Sequence, residues 1–162
     1  MKTININGNE YKLEYSFAAA EHKATVQKMF NVVSGAYLVK DAAFDTEENE
    51  SKKNTVATMI NGVSEMVADI PHVVKTAFYS GLLENHPNIT EDEAYQLMKQ
   101  YMKENKISFN KLFENIKECM EDDGFFDLSG LKEMLESMNQ SMEEAQAKKP
   151  AKKSTKKSTS TK

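Results

Sequence analysis

The sequence predicts a mainly α protein: an N-terminal β-hairpin packed on a bundle of about six helices, followed by a disordered C-terminal tail. Three observations predict it. Apolar residues alternate with period two as far as Leu13. From Phe17 the period becomes 3.6 and persists, segment after segment, to Ala147. At Lys148 the composition changes abruptly: the last fifteen residues hold seven lysines and no acid.

The hairpin is centred on Asn7-Gly8, the favoured two-residue type I′ turn, in which both positions need positive φ. Closing there pairs Ile6 with Asn9 and Ile4 with Tyr11, so Ile4, Ile6, Tyr11 and Leu13 share one face. A lone two-stranded hairpin is marginal in water, so that face must lie on the helices.

The first helix is expected from Phe17, with Ser16 as N-cap and a stripe of Val26, Met29, Phe30, Val33 and Tyr37. Residues 41–54 are polar, with Phe44 the only large apolar side chain, and read as a connection in which Thr46 is a candidate cap. Val56, Met59, Ile60, Val63, Val67 and Ile70 form the next helical stripe, which Pro71 stops or kinks. A separate helix carrying Val74, Ala77, Phe78 and Leu82 should end before His86-Pro87. Thr90 to Glu93 is a capping box opening a helix with Ala94, Leu97, Met98 and Tyr101 inward. Ser108 caps the next, with Phe109, Leu112, Phe113, Ile116 and Met120 in register; Gly124 ends it and Phe125-Phe126 plugs the turn. The last helix spans about Ser129 to Ala147.

Charge divides the chain into two units, a body of residues 1–147 and a tail of residues 148–162. Removing the seven tail lysines from 21 basic residues leaves 14 against 25 acids, a balance of −11. The tail has no apolar surface to offset its ordering entropy. Every basic residue is lysine. Bidentate readout of guanine or phosphate is mostly arginine's work, which weighs against sequence-specific nucleic-acid binding; an A-rich gene gives the same absence. The tail could hold phosphates, but the acidic body would repel them. No apolar run reaches the roughly 20 residues of a membrane span, and no signal segment opens the chain.

Chemistry is sparse. His22, His72 and His86 lack chelating spacing, Cys119 sits on an apolar helix face, and no glycine-rich phosphate loop exists. Asp122 to Glu133 has the length of a calcium loop, but Gly124, Phe126 and Asp127 stand where two ligands and the turn glycine belong. No catalytic residue, metal or other cofactor is expected. The partner-binding candidate is the last helix, where Leu131, Met134, Leu135, Met138 and Met142 share one side. Three methionines at i, i+4 and i+8 make an adaptable surface.

The segment Met1 to Phe17, followed by an Ala-rich helix, resembles the start of tail assembly chaperones of long-tailed phages infecting low-GC Gram-positive bacteria. In layout the resemblance extends to about Gly124, through Asp69-Ile70-Pro71 and Ala77-Phe78-Tyr79-Ser80-Gly81-Leu82. It implies a non-catalytic protein of the host cytoplasm that binds the helical tape measure protein, keeps it soluble, helps recruit tail tube subunits and is absent from the virion. It further implies a programmed frameshift near the end of the gene, and paired lysine codons at Lys148-Lys149 can form a slippery run of A. Self-association is compatible with this role. The acidic 41–54 segment and the tail match no family feature. The alternatives are another phage morphogenesis or scaffolding protein, or a nucleic-acid-associated protein acting through its tail.

Overall fold

A computed structural model describes residues 1–35 and 51–147, without the side chains of 51–59, 139 and 142–147. The elements are β1 (Lys2–Ile6), β2 (Asn9–Leu13), α1 (Phe17–Glu21), α2 (Lys23–Val33), α3 (Ser51–Leu83), α4 (Glu91–Asn105), α5 (Phe109–Asp122), α6 (Phe125–Leu128) and α7 (Leu131–Ala147). The fold is mainly α with one antiparallel hairpin, as the sequence predicts. Tyr37, Thr46 and the lysine-rich tail lie outside the described residues.

The hairpin closes in the expected register, Ile6 with Asn9 and Ile4 with Tyr11. Asn7 and Gly8 have φ of 52° and 77°, and the Asn5 side chain accepts the Gly8 N–H at 3.1 Å. Ile4, Ile6 and Leu13 are buried, with Tyr11 packed at their margin. Both ends are fastened. At the tip, Glu104 accepts the Asn7 N–H at 3.2 Å and Gln100 donates to the Asn7 side chain at 3.1 Å. At the base, the Glu14 N–H reaches the Gly81 carbonyl at 2.8 Å and the Tyr15 N–H reaches Asp123 Oδ2 at 2.9 Å. The amino group of Met1 pairs with the same Asp123.

The axis of the body is α3, which packs against α1, α2, α4, α5 and β2. It corrects one expectation: Pro71 stands inside a continuous 33-residue helix and does not divide it. An interior proline removes one backbone bond and costs about 3 kcal/mol. Burial of Ile70, Val73, Val74, Ala77, Phe78 and Leu82 on both sides of it outweighs that. The opposite correction applies upstream. The expected single helix from Phe17 breaks at His22, whose ψ of 92° is extended. The His22 ring bonds Thr25 Oγ1 at 2.8 Å and meets the Tyr79 ring edge-on at 5.5 Å, so tertiary contacts hold the bend.

Caps follow the sequence in two of three cases. Thr90 and Glu93 form the full capping box, and Ser108 accepts the Lys111 N–H at 3.2 Å. Ser16 does not cap α1 with its own side chain. Instead Glu84 Oε2, from just beyond α3, accepts the Ala18 N–H at 3.2 Å and the Ser16 hydroxyl at 2.7 Å. A carboxylate thus serves the helix N-terminus from another element, where negative charge is favoured. Those two bonds, the Ser16 hydroxyl first, hold the Glu84 carboxyl below its ordinary value.

Tyr15 and Phe125 are fully buried and meet edge-to-face at 6.3 Å. Phe125 is the expected plug, delivered by the short helix α6, which the sequence did not announce. Tyr15 lies on Gly81: a Cβ at that glycine would sit 2.7 Å from Tyr15 Cζ. The Tyr15 hydroxyl has no hydrogen-bond partner, and burial pushes its pKa well up.

Gly81→Ala should therefore destabilise the protein by about 1–3 kcal/mol in chemical denaturation, despite alanine's better helix propensity. Tyr15→Phe should be neutral or stabilising, since it removes an unpaired buried hydroxyl and keeps the ring. Glu84→Gln tests the cap through pH. The lowered carboxyl contributes stability above the ordinary glutamate range and loses it as pH falls through the lowered value. The melting-temperature gap between wild type and variant should be full near neutrality and close as the pH falls below the ordinary glutamate range.

Candidate functional site

No group of three or more His, Cys, Asp or Glu side chains among the described residues is placed to hold a metal. The stretch with the length of a calcium loop is occupied by α6, and its Asp127 pairs with Lys132 at 3.0 Å. That bond raises the Lys132 pKa. His86 stacks at a tilt on Tyr11 with ring centroids 5.5 Å apart. Cys119 is buried, and burial pushes its thiol pKa up, the reverse of what a nucleophile needs.

A groove of about 850 Å³ lies between the hairpin tip and the start of α4. Several of its polar groups are committed to the fold. Gln100 binds Asn7, Asn85 donates to Glu14 at 3.1 Å, and Glu93 belongs to the capping box. It holds no nucleophile–base pair.

What remains among the described residues is exposed apolar surface: Met1 and Phe17 near the N-terminus, and two helical patches. The first is α7, where the sequence places its partner-binding candidates. Gly130, at φ 72°, starts the helix, accepting the Met134 N–H at 3.2 Å. Leu131 is 3% exposed and belongs to the core, so it anchors the helix and is not free to contact a partner. Leu135 is half-buried and lines a hollow of about 270 Å³ with Val33 and Phe126. Lys117, Glu121, Lys132 and Glu136 surround that hollow. Met138 is half-buried and Met134 is 52% exposed; the Met142 side chain lies outside those described. Leu128, at the end of α6, is 45% exposed. Of the five candidates, then, Met134, Leu135 and Met138 are available at the surface. Leu128 is an addition that the sequence did not single out, while Val33 and Phe126, which the sequence assigned to a helix stripe and to a turn plug, line the hollow beside it.

The second is the N-terminal part of α3. The sequence assigns Ile60, Val63 and Val67 to an inward stripe, but they are 64%, 45% and 51% exposed. Periodicity identifies which face of a helix is apolar; it does not identify what covers it. The other described elements flank α3 along its C-terminal half, where Ile70 is the first residue of the stripe to be buried. Among the described residues no helix is long and apolar enough to cross a membrane.

Among the described residues, the arrangement is a helical body with exposed apolar helix faces and few reactive groups. No protein-family model, curated protein or solved structure matches the chain.

Leu131→Ala should cost about 2–5 kcal/mol in chemical denaturation, as a buried truncation does, while Met134→Gln should stay within about 0.5 kcal/mol of wild type. Equal effects at the two positions would mean that α7 is docked through a different face.

Proposed function

We propose that this protein is a non-catalytic tail assembly chaperone of a long-tailed phage, acting in the host cytoplasm. It binds the tape measure protein, keeps its apolar helices soluble and helps recruit tail tube subunits before being displaced. The observation that carries the reading is the apolar surface of α6 and α7, with Leu128 and Met134 exposed and Leu135 and Met138 half-buried, on a body of charge −11. A helix laid on such a surface is held by apolar anchors at i, i+3, i+4 and i+7, which requires no reactive group. The methionines supply adaptability, because an unbranched thioether repacks against different neighbours. Excess negative charge keeps many copies soluble along one filament while the contacts themselves stay short-ranged. The likeness of residues 1–17 to the start of such chaperones supports the same reading.

The test is co-expression with a tape measure protein from the same phage, followed by pull-down and a solubility assay. The wild-type chain should keep the tape measure protein in the soluble fraction. A Leu128→Gln, Met134→Gln, Met138→Gln variant should fold normally and lose most of that capture, since each apolar contact removed is worth about 1 kcal/mol or more. Undiminished capture by the folded variant would overturn the assignment of this surface. Failure of the wild type to capture the tape measure protein would overturn the function.

A further inference from the structure

The groove of about 850 Å³ between the hairpin tip and the start of α4 falls within the size range of ligand sites. Its composition is unlike that of the chain as a whole. Charged residues make up 28% of the sequence, yet of the eleven residues lining the groove one, Glu93, is charged. The Glu93 carboxylate is engaged by the Thr90 N–H at 2.8 Å and the Thr90 hydroxyl at 2.7 Å. Depletion of charge at the centre of a patch is the compositional mark of a protein-binding surface. Five lining residues carry carboxamides instead: Asn7, Asn85, Asn88, Gln96 and Gln100.

The fold uses part of the hydrogen-bonding capacity of these amides, and what it leaves is mixed in kind. Asn7 Oδ1 accepts from Gln100 Nε2, which leaves the Asn7 amide hydrogens and Gln100 Oε1. Asn85 Nδ2 donates to Glu14, which leaves Asn85 Oδ1. Asn88 and Gln96, both exposed, each keep a side-chain donor and acceptor. The floor is apolar, with Tyr11, Ile89 and Leu97 half-buried. The walls are already held in place. Glu104 and Gln100 fasten the hairpin tip, and on the opposite loop the His86 N–H reaches the Leu82 carbonyl at 2.8 Å and the Ile89 N–H reaches the His86 carbonyl at 3.1 Å. Such pre-organisation lowers the cost of binding.

We propose that this groove binds an extended, uncharged segment of another polypeptide through its main chain, at a site separate from the α6–α7 surface. A carboxamide carries the same donor and acceptor as a peptide unit, so each free one can accept a main-chain N–H and donate to a main-chain carbonyl. The apolar floor receives an aliphatic side chain of the same segment, so main-chain bonds give affinity and the floor gives selectivity. A phosphate or carboxylate would call for cations, and among the described residues no lysine lines the groove. A sugar would also use the amides, but it stacks on an open aromatic face. The Tyr11 ring already packs on His86, with centroids 5.5 Å apart.

Panning the full chain against a library of acetyl- and amide-capped heptapeptides, built from every residue except cysteine, tests this. The peptides retained should be uncharged and carry at least one aliphatic residue. Titrated into isotope-labelled protein, they should shift the NMR signals of residues 85–97 and of the hairpin tip, and leave α6 and α7 unmoved. A double variant, Asn88→Ala with Gln96→Ala, should keep the wild-type melt, since both side chains are exposed. Its binding should weaken about tenfold or more, as two lost hydrogen bonds imply. Methylating the peptide nitrogens of a retained sequence should abolish binding, which a surface that reads side chains alone would not show. The Leu128→Gln, Met134→Gln, Met138→Gln variant should bind the peptides as the wild type does. The proposal is overturned if the library yields no binder or a charged consensus. It is equally overturned if binding survives the double substitution or N-methylation, or if the shifts fall on α6 and α7. Shifts of the groove by methyl β-glucoside, with no peptide retained, would assign it to a saccharide instead.

Discussion

The contact between Tyr15 and Gly81 is the constraint on which the rest of the body depends. The hydroxyl end of the Tyr15 ring can approach the helix backbone this closely only where no Cβ intervenes, and at Gly81 one would fall 2.7 Å from Tyr15 Cζ. With the ring seated, the Glu14 N–H reaches the Gly81 carbonyl and the Tyr15 N–H reaches Asp123. The hairpin is thereby placed over α3 and the end of α5 at once, and its own face of Ile4, Ile6 and Leu13 is buried. A two-stranded hairpin gains from this a support it cannot supply for itself. Phe125 closes the other side of the ring and fixes where α6 sits, which in turn sets the start of α7. The Tyr15 hydroxyl is left without a partner, a cost the packing outweighs.

Long-range bonds of the same kind recur wherever local sequence is ambiguous. Glu84 caps α1 across sixty-six residues of chain, and Glu104 and Gln100 hold the hairpin tip from α4. Glu84 and Glu104 each accept from two donors and Gln100 donates to both Asn7 and Glu104, so the framework rests on relatively few polar groups. The charged pairs at the surface, such as Lys117 with Glu121 at 3.2 Å, are exposed and contribute little to stability. The polar network positions the elements, and the apolar core of α3, α4 and α5 supplies most of the stabilisation.

Much of this fold is legible in the sequence, and the exceptions have physical causes. Asn7-Gly8 fixes the hairpin register because few other residue pairs tolerate two positive φ values. The Thr90 box and the Ser108 cap are local bonds between neighbours, so a local reading finds them. His22 is different: nothing near it in sequence announces the break between α1 and α2, which is held by Tyr79 and Thr25. Pro71 misleads in the opposite direction, since its local penalty is overruled by burial elsewhere along α3. The candidate surface shows the same division. The methionine spacing points to α7, yet Leu131 lies on that stripe and is buried, while the exposed Leu128 belongs to a four-residue helix without periodicity. Ile60, Val63 and Val67 form a clear stripe whose exposure depends on what stands opposite.

The proposed function rests on an acidic helical body whose described residues leave apolar helix faces at the surface. The most direct test is amide hydrogen exchange on the full chain, alone and with the tape measure protein. Binding is predicted to protect α6 and the first half of α7, residues 125–138, while the hairpin and α4 keep their exchange rates. Protection confined to the groove between the hairpin tip and α4, with α6 and α7 unchanged, would contradict it.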